Sequence, residues 1–162
     1  MRPDRRKIRW TESTLPISVR NLSLVVNDNP IVKNINLLIE NDGCTVIMGY
    51  NGAGKSTLLR LLSGLVKPTS GEIKWGTTGL KQPGSRAVVL QHPVMLRRSV
   101  RENIEYAMKV QGISRAVRAR RLRNLLALCD LAHLTERQAT IISGGEQQRL
   151  ALARAMSTDP EV

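Results

Sequence analysis

Gly49-Tyr50-Asn51-Gly52-Ala53-Gly54-Lys55-Ser56-Thr57 fits the phosphate-cradling P-loop pattern G-x-x-x-x-G-K-[ST] without a gap. Ahead of it, Cys44-Thr45-Val46-Ile47-Met48 is a short run rich in apolar residues, read as a strand. Behind it, Ser56 to Leu65 is Leu-rich at helical spacing and predicts a helix with Leu58, Leu62 and Leu65 on one face. Strand, loop and helix in that order is the context such a pattern requires. The glycines at 49, 52 and 54 admit backbone dihedrals and close approaches that a Cβ would block, so successive amides can turn inward around an anion. The helix that follows points its positive end at the same place. Lys55 would carry a charge to the β- and γ-phosphates of a nucleotide, and the Ser56 hydroxyl would take one coordination position on Mg²⁺. Asn51, Ala53 and Thr57 complete the expected nucleotide-contacting set.

A second constellation lies far downstream. Ile142-Ser143-Gly144-Gly145-Glu146-Gln147-Gln148-Arg149 stands directly before Leu150-Ala151-Leu152-Ala153-Arg154-Ala155-Met156, a helical run. Ser143 with Glu146 three residues on is a capping box, so a helix should start here with Gly144 and Gly145 in its first turn. Such a start is able to receive an anion, and it is equally consistent with a plain helix cap.

Together the two motifs resemble those of ATP-binding cassette (ABC) ATPases, whose signature reads LSGGQ followed by Gln-Arg and an Ala-rich helix. The resemblance runs from about Ile17 to the last residue. It implies an α/β P-loop NTPase fold: a RecA-like core, an antiparallel β subdomain and a small helical subdomain at about residues 97–142. Residues 1–16 are then a basic N-terminal extension and 17–162 a partial nucleotide-binding domain, incomplete at the C-terminus. It further implies that Ser143, Gly144, Gly145 and Glu146 contact the γ-phosphate of an ATP held by the P-loop of a second subunit, hence a dimer with two shared sites. Glu146 departs from the family's commonest Gln while keeping the capping geometry. Gln91, after the strand-like Arg86-Ala87-Val88-Val89-Leu90, matches the family glutamine that helps to bind Mg²⁺ and the attacking water, in a loop that meets the membrane permease. At the position where the family stacks an aromatic ring on adenine this chain has Val26, which has no π face.

The same family pattern continues with an apolar strand ending in a Mg²⁺-binding Asp and a Glu that acts on water. That strand would follow Ser157-Thr158-Asp159-Pro160-Glu161-Val162. Neither Asp159 nor Glu161 is preceded by the apolar run that could stand in for it, and His92 and His133 both precede the signature, so neither matches the family's switch histidine. The sequence reads as the front part of a longer ATPase or as a truncated protein, the first being favoured. Taken alone, it is expected to bind nucleotide poorly and to hydrolyse almost none.

Composition sets the outer bounds. With 162 residues the chain suits one domain; apolar residues make up 41%, yet aromatics are only 2% and Phe is absent, so the core must be aliphatic. No apolar run approaches the ~20 residues of a membrane span, and the basic start has no apolar stretch behind it, which predicts a cytoplasmic protein, peripheral on the inner face of the membrane if it serves a transporter. Cys44 and Cys129 sit apart from any metal-ligand spacing and are expected to be buried reduced thiols, with no metal beyond Mg²⁺. The formal net charge is +12. Its basic residues cluster in residues 2–9 and at 115, 118, 120, 121 and 123, the latter mostly off a Leu122, Leu125, Leu126, Cys129 stripe, which favours a solvated face, with a role facing an anionic membrane as the alternative. Basic residues are not interleaved with aromatics, and no nucleic-acid partner is expected.

The remaining marks order the elements. Ile17–Val26 and Ile31–Ile39 read as strands joined by the four-residue connection Asn27-Asp28-Asn29-Pro30, Asn41-Asp42-Gly43 as a turn, and Glu72–Trp75 as a further strand. Ser99 with Glu102 caps a helix carrying Val100, Ile104 and Met108 on one face, with Gly112 past its end. By resemblance the chain is the ATP-binding and ATP-hydrolysing subunit of an importer with a separate membrane permease, and Val89 to Val100 looks most like ATPases of oxyanion uptake, of the tungstate or phosphate kind. A non-catalytic nucleotide-binding module and a soluble ABC protein of nucleic-acid metabolism are the alternatives.

Overall fold

The computed structural model describes residues 15–40, 44–76, 86–160 and 162. They fall into two compact units, one formed by residues up to 76 and the other by residues 86–160. The basic start and the Asn41-Asp42-Gly43 turn lie outside the described residues.

The first unit is built on a three-stranded antiparallel sheet of order β2-β1-β3, with β1 at Ile17–Val26, β2 at Asn29–Ile39 and β3 at Ser70–Trp75. Along β1 the buried residues are Ile17 and Val19, then Leu22 and Leu24, so the inward phase slips by one position at Arg20-Asn21. A slip of that kind would turn half of the strand inside out. The backbone absorbs it as an irregularity: the register with β2 shifts between Val19 and Leu22, the register with β3 shifts between Arg20 and Ser23, and Asn21 takes φ +47. Asn tolerates the left-handed region better than most residues, and an extra residue in one strand lets both halves keep their apolar side inward. The Asn36 Oδ1 accepts from the Asn21 amide at 2.9 Å, and the Ser23 hydroxyl accepts from the Asn34 amide at 2.9 Å, so groups displaced from the ladder are paired.

The β1–β2 connection is shorter than the expected four residues. Asn27 and Asp28 alone form the turn, at φ +48 and +61, while Val26 pairs with Asn29 and Val25 with Pro30. Two central residues with positive φ match the right-handed strand twist, so the strands close tightly and Pro30 is drawn into β2.

Helix α1 spans Lys55–Leu62 and packs Leu58, Leu61 and Leu62 into the cluster formed by Ile17, Val19, Leu22, Leu24 and Val32. It ends earlier than the Leu spacing predicts. Ser63 caps it and Gly64 turns at φ +75, which leaves Leu65 62% exposed in place of the predicted stripe position. The expected strands at 44–48 and 86–90 carry no ladder, and Val46 and Met48 are exposed at 70% and 84%. A strand is defined by the ladder it forms with a neighbour, and the described residues of these runs are assigned to no ladder. For the same reason Cys44 is exposed, against the expectation of a buried thiol; Cys129 is buried, and burial pushes its thiol pKa up.

The second unit is a helical cluster of α2 (Val100–Val110), α3 (Arg115–Leu128) and α4 (Gly144–Ser157), with a short 3-10 turn at Ala132–Leu134. Val100, Ile104 and Met108 meet Leu122, Leu125, Leu126 and Cys129 and the Leu150 and Ala153 face of α4. This is the aliphatic core that a sequence without Phe requires. Inside it lies fully buried Asn103, whose Oδ1 accepts from the Leu96 amide at 3.0 Å and whose Nδ2 donates to the Leu96, Arg98 and Ser99 carbonyls at 3.2, 3.3 and 3.0 Å. The start of α2 is also bridged to the segment leading into α4: Val100 N donates to Arg137 O and Ala139 N to Arg98 O, both at 2.9 Å. On α3 the arginines at 115, 120 and 123 are exposed, whereas Arg118 donates to Ile113 O and Arg121 to Ser157 O and Asp159.

Candidate functional site: a phosphate-binding loop and a capped helix

The P-loop residues come together in the first unit. Gly49, Gly52 and Gly54 have φ of +155, +83 and +84. At Gly54 the conformation is enforced by a neighbour as well, because a Cβ there would stand 2.7 Å from the Ile31 carbonyl oxygen of β2. Glycine thus lets the loop lie against the sheet while it turns into α1. The turn is closed by Ala53 N donating to Tyr50 O at 3.2 Å, and α1 begins with Leu58 N on Gly54 O at 2.8 Å. A glycine N-cap has no side chain to occupy the first amides of the helix, and none is so occupied by Gly54. The Lys55 ammonium arches back over the loop, donating to Gly49 O at 2.8 Å and Tyr50 O at 2.6 Å. An ammonium has three donors, so one remains for a ligand. Asn51 and Ser56 are exposed, and Thr57 is half-buried.

Gln91 and residues 143–146 lie in the second unit. The expected capping box is present in full: Ser143 Oγ accepts from the Glu146 amide at 3.4 Å, and Glu146 Oε2 accepts from both the Ser143 amide and the Ser143 hydroxyl at 2.7 Å. A Cβ on Gly144 or Gly145 would meet nothing within 4 Å, so the first turn of α4 has an open face. Gln147 reaches back to the Ile142 carbonyl at 3.3 Å and fixes the lead-in. Gln91 is exposed, and its carbonyl accepts from Gln148 Nε2 at 3.0 Å. Sequence reasoning missed that bond and the Asn103 clamp; an Asn within an otherwise apolar stripe was the available signal for the second.

The Ser143 hydroxyl, followed by the Ser143 amide, holds the Glu146 carboxyl below its ordinary pKa; desolvation opposes them, and Arg149 and His133 lower it further. A carboxylate with a depressed folded pKa stabilises the fold above its unfolded value and loses that contribution as pH falls through the folded one. Glu146→Gln should therefore lower the melting temperature of this unit at neutral pH and make little difference in acid. Thermal melts of the two proteins across the carboxylate range would show the curves converging; a constant separation would mean that charge plays no part in the cap.

A glycine loop wrapped by a lysine at the start of a helix is the phosphate-binding element of P-loop NTPases; the run ahead of it is in no ladder, and the fold rests on the likeness to solved structures. Solved structures agree: cbiO1 from Clostridium perfringens, part of the ABC transporter complex cbiONQ, superposes with a TM-score of 0.78 at 25% identity, covering 91% of this chain and 63% of that one. An ATP binding subunit of an ABC transporter gives 0.78 at 24% identity, with 90% and 63% covered, and supports the fold alone. The chain matches the ABC transporter family over residues 32–162 and belongs to it.

Among curated relatives, it is 40% identical over 152 residues to the sn-glycerol-3-phosphate import ATP-binding protein UgpC 1 of Rhizobium johnstonii, covering 91% of this chain and 41% of that protein. Over 135 residues it is 36% identical to the taurine import ATP-binding protein TauB of Pseudomonas syringae pv. tomato, covering 82% and 52%. Over 149 residues it is 36% identical to the Fe(3+) ions import ATP-binding protein FbpC of Pasteurella multocida, covering 89% and 43%. The chain spans between 41% and 52% of the length of these three relatives. Among the described residues no helix is long and apolar enough to cross a membrane.

Proposed function

We propose that the chain is the nucleotide-binding part of the ATP-hydrolysing subunit of an ABC importer, acting on a separate membrane permease at the inner face of the membrane. The observation that carries this reading is the P-loop itself, with Lys55 held across Gly49 and Tyr50, one ammonium donor left over and the first amides of α1 uncapped by Gly54. These donors suit a polyphosphate, because charged acceptors reward preorganised N–H groups most. In this assignment residues 49–57 hold the ATP phosphates, and Lys55 steadies the charge that develops on the γ-phosphoryl. The Ser56 hydroxyl and the Gln91 side chain are hard oxygen donors that would suit Mg²⁺, which would supply positive charge to offset that of the phosphates. Gln91 would also orient the attacking water.

Ser143, Gly144, Gly145 and Glu146 would close on the γ-phosphate bound by a second subunit, with the open first turn of α4 admitting it. Residues 17–162 then constitute a nucleotide-binding domain with a helical part at about 97–142, preceded by a basic extension at 1–16. Nucleic acid is not the expected partner. For cargo we propose an oxyanion, of the tungstate or phosphate kind, on the resemblance of residues 89–100; import ATP-binding proteins similar to this chain are named for cargoes as unlike as sn-glycerol-3-phosphate and Fe(3+), and in this reading cargo is chosen by other subunits. Titration with a fluorescent ATP analogue tests the nucleotide reading, with Mg²⁺ expected to tighten binding and the unlabelled triphosphate to compete. Binding indifferent to competing ATP would overturn it.

A further inference from the structure

Residues 91–98 form no helix or strand, yet the segment is held from two helices. Gln148 Nε2 of α4 donates to Gln91 O at 3.0 Å, and Arg154 Nη1 of the same helix donates to Val94 O at 2.9 Å. Beyond them, the buried Asn103 of α2 grips both the amide and the carbonyl of Leu96. The spacing of the two α4 contacts fits a chain laid along the helix. Six helical residues advance about 9 Å, and three residues of extended chain reach about 10 Å. Pro93 lies between the contacts, with no N–H of its own and with a bias toward extended backbone in the residue before it. The segment has no helical turn of its own, and the Gln91 and Val94 carbonyls take their donors from α4 while that of Leu96 takes a donor from α2.

We propose that Gln148 and Arg154 are positioning residues that make the Gln91 segment part of α4, so that whatever engages the Ser143–Glu146 start of that helix also sets where Gln91 stands. This rests on the reading of Gln91 as the residue that orients water. Gln91 and Ser143, 52 positions apart in the sequence, then belong to one rigid reading head, whose stiffness comes from Gln148 in the Gln-Arg pair behind the signature and from Arg154 farther along α4.

The test uses the full-length protein assembled with its permease and carrying Gln148→Ala, Arg154→Ala, both together, or Arg154→Lys, which keeps a donor. Backbone hydrogen exchange over residues 89–98 should quicken roughly threefold or more in the double variant while α3 is unchanged. The kcat for ATP should fall about fivefold with KM moving less than about twofold, the pattern of an interaction lost from the reacting arrangement. Arg154→Lys should recover most of both. Unchanged exchange overturns the clasp, and faster exchange with unchanged kcat overturns its positioning role. Gln91→Ala is measured alongside: if it leaves turnover intact, the assignment of Gln91 fails, and the exchange result still decides whether α4 holds the segment. Circular dichroism of the single Gln148→Ala variant, whose side chain is exposed, guards against loss of fold.

Discussion

Lys55→Ala is expected, on the function proposed above, to lower ATP turnover by about a hundredfold or more. The side chain does two jobs at once. It supplies the one mobile positive charge of the loop, and its two bonds to Gly49 and Tyr50 hold the loop in its arch. Hydrogen bonds to charged groups contribute about 1.5–3 kcal/mol each, so loss of the phosphate contact alone accounts for one to two powers of ten, and the slackened loop adds the remainder. Stability should change little, because Lys55 is outside the apolar cluster that anchors α1. Nucleotide titration and turnover on one preparation, with melting temperature as control, settle the matter. Near-normal turnover would show that the cradle is not the reacting site.

The largest effect on stability is expected at a residue in neither motif. Gly71 opens β3 at φ +89, and a Cβ there would lie 2.4 Å from Asn21 O and 2.6 Å from Leu22 Cα. Both neighbours are backbone, fixed by the β1 irregularity, and neither is able to swing aside. Gly71→Ala should cost about 3 kcal/mol or more, from left-handed strain together with separation of β1 from β3. For a unit of this size that is a fall of about 10–20 °C in melting temperature. Gly112→Ala is the natural comparison. It has φ +71 but nothing within 4 Å of the added carbon, so it carries the strain without the clash. Equal losses in the two variants would sink the steric argument.

Legibility in the sequence followed how local each signal is. Both capping boxes, the leucine stripe of α3 and the Val100, Ile104, Met108 face of α2 depend on residues three or four apart, and all are found in place. The glycine loop is equally local. Where the reading failed, the deciding partner was distant or the backbone had options the residue types leave open. Leu65 has the right spacing for α1 but follows Gly64, whose left-handed turn ends the helix first. Pro30 reads as turn, yet the two positive-φ residues before it close the hairpin and put it in the strand. The runs at 44–48 and 86–90 have strand composition, and composition does not supply a neighbour. Of the candidate site, the glycine loop and the capped start of α4 were legible, while the side chain that holds Gln91 was not, since a bond between residues 57 apart leaves no periodic trace.

The bridge between residues 98–100 and 137–139 bears on the order in which the second unit can assemble. Each of its capped helices begins at, or just after, a backbone pairing with the approach to the other, reinforced by Arg101 on Glu136 at 2.8 Å. Nucleating a helix costs several fixed dihedrals before the first bond repays them. Here the first turn of α2 has its own Ser99–Glu102 box, and the pairing that ties it down further comes from a segment almost forty residues later, which is itself the entry to α4. The starts of α2 and α4 are therefore expected to gain stability together, when the two approaches meet, and with them the open first turn of α4.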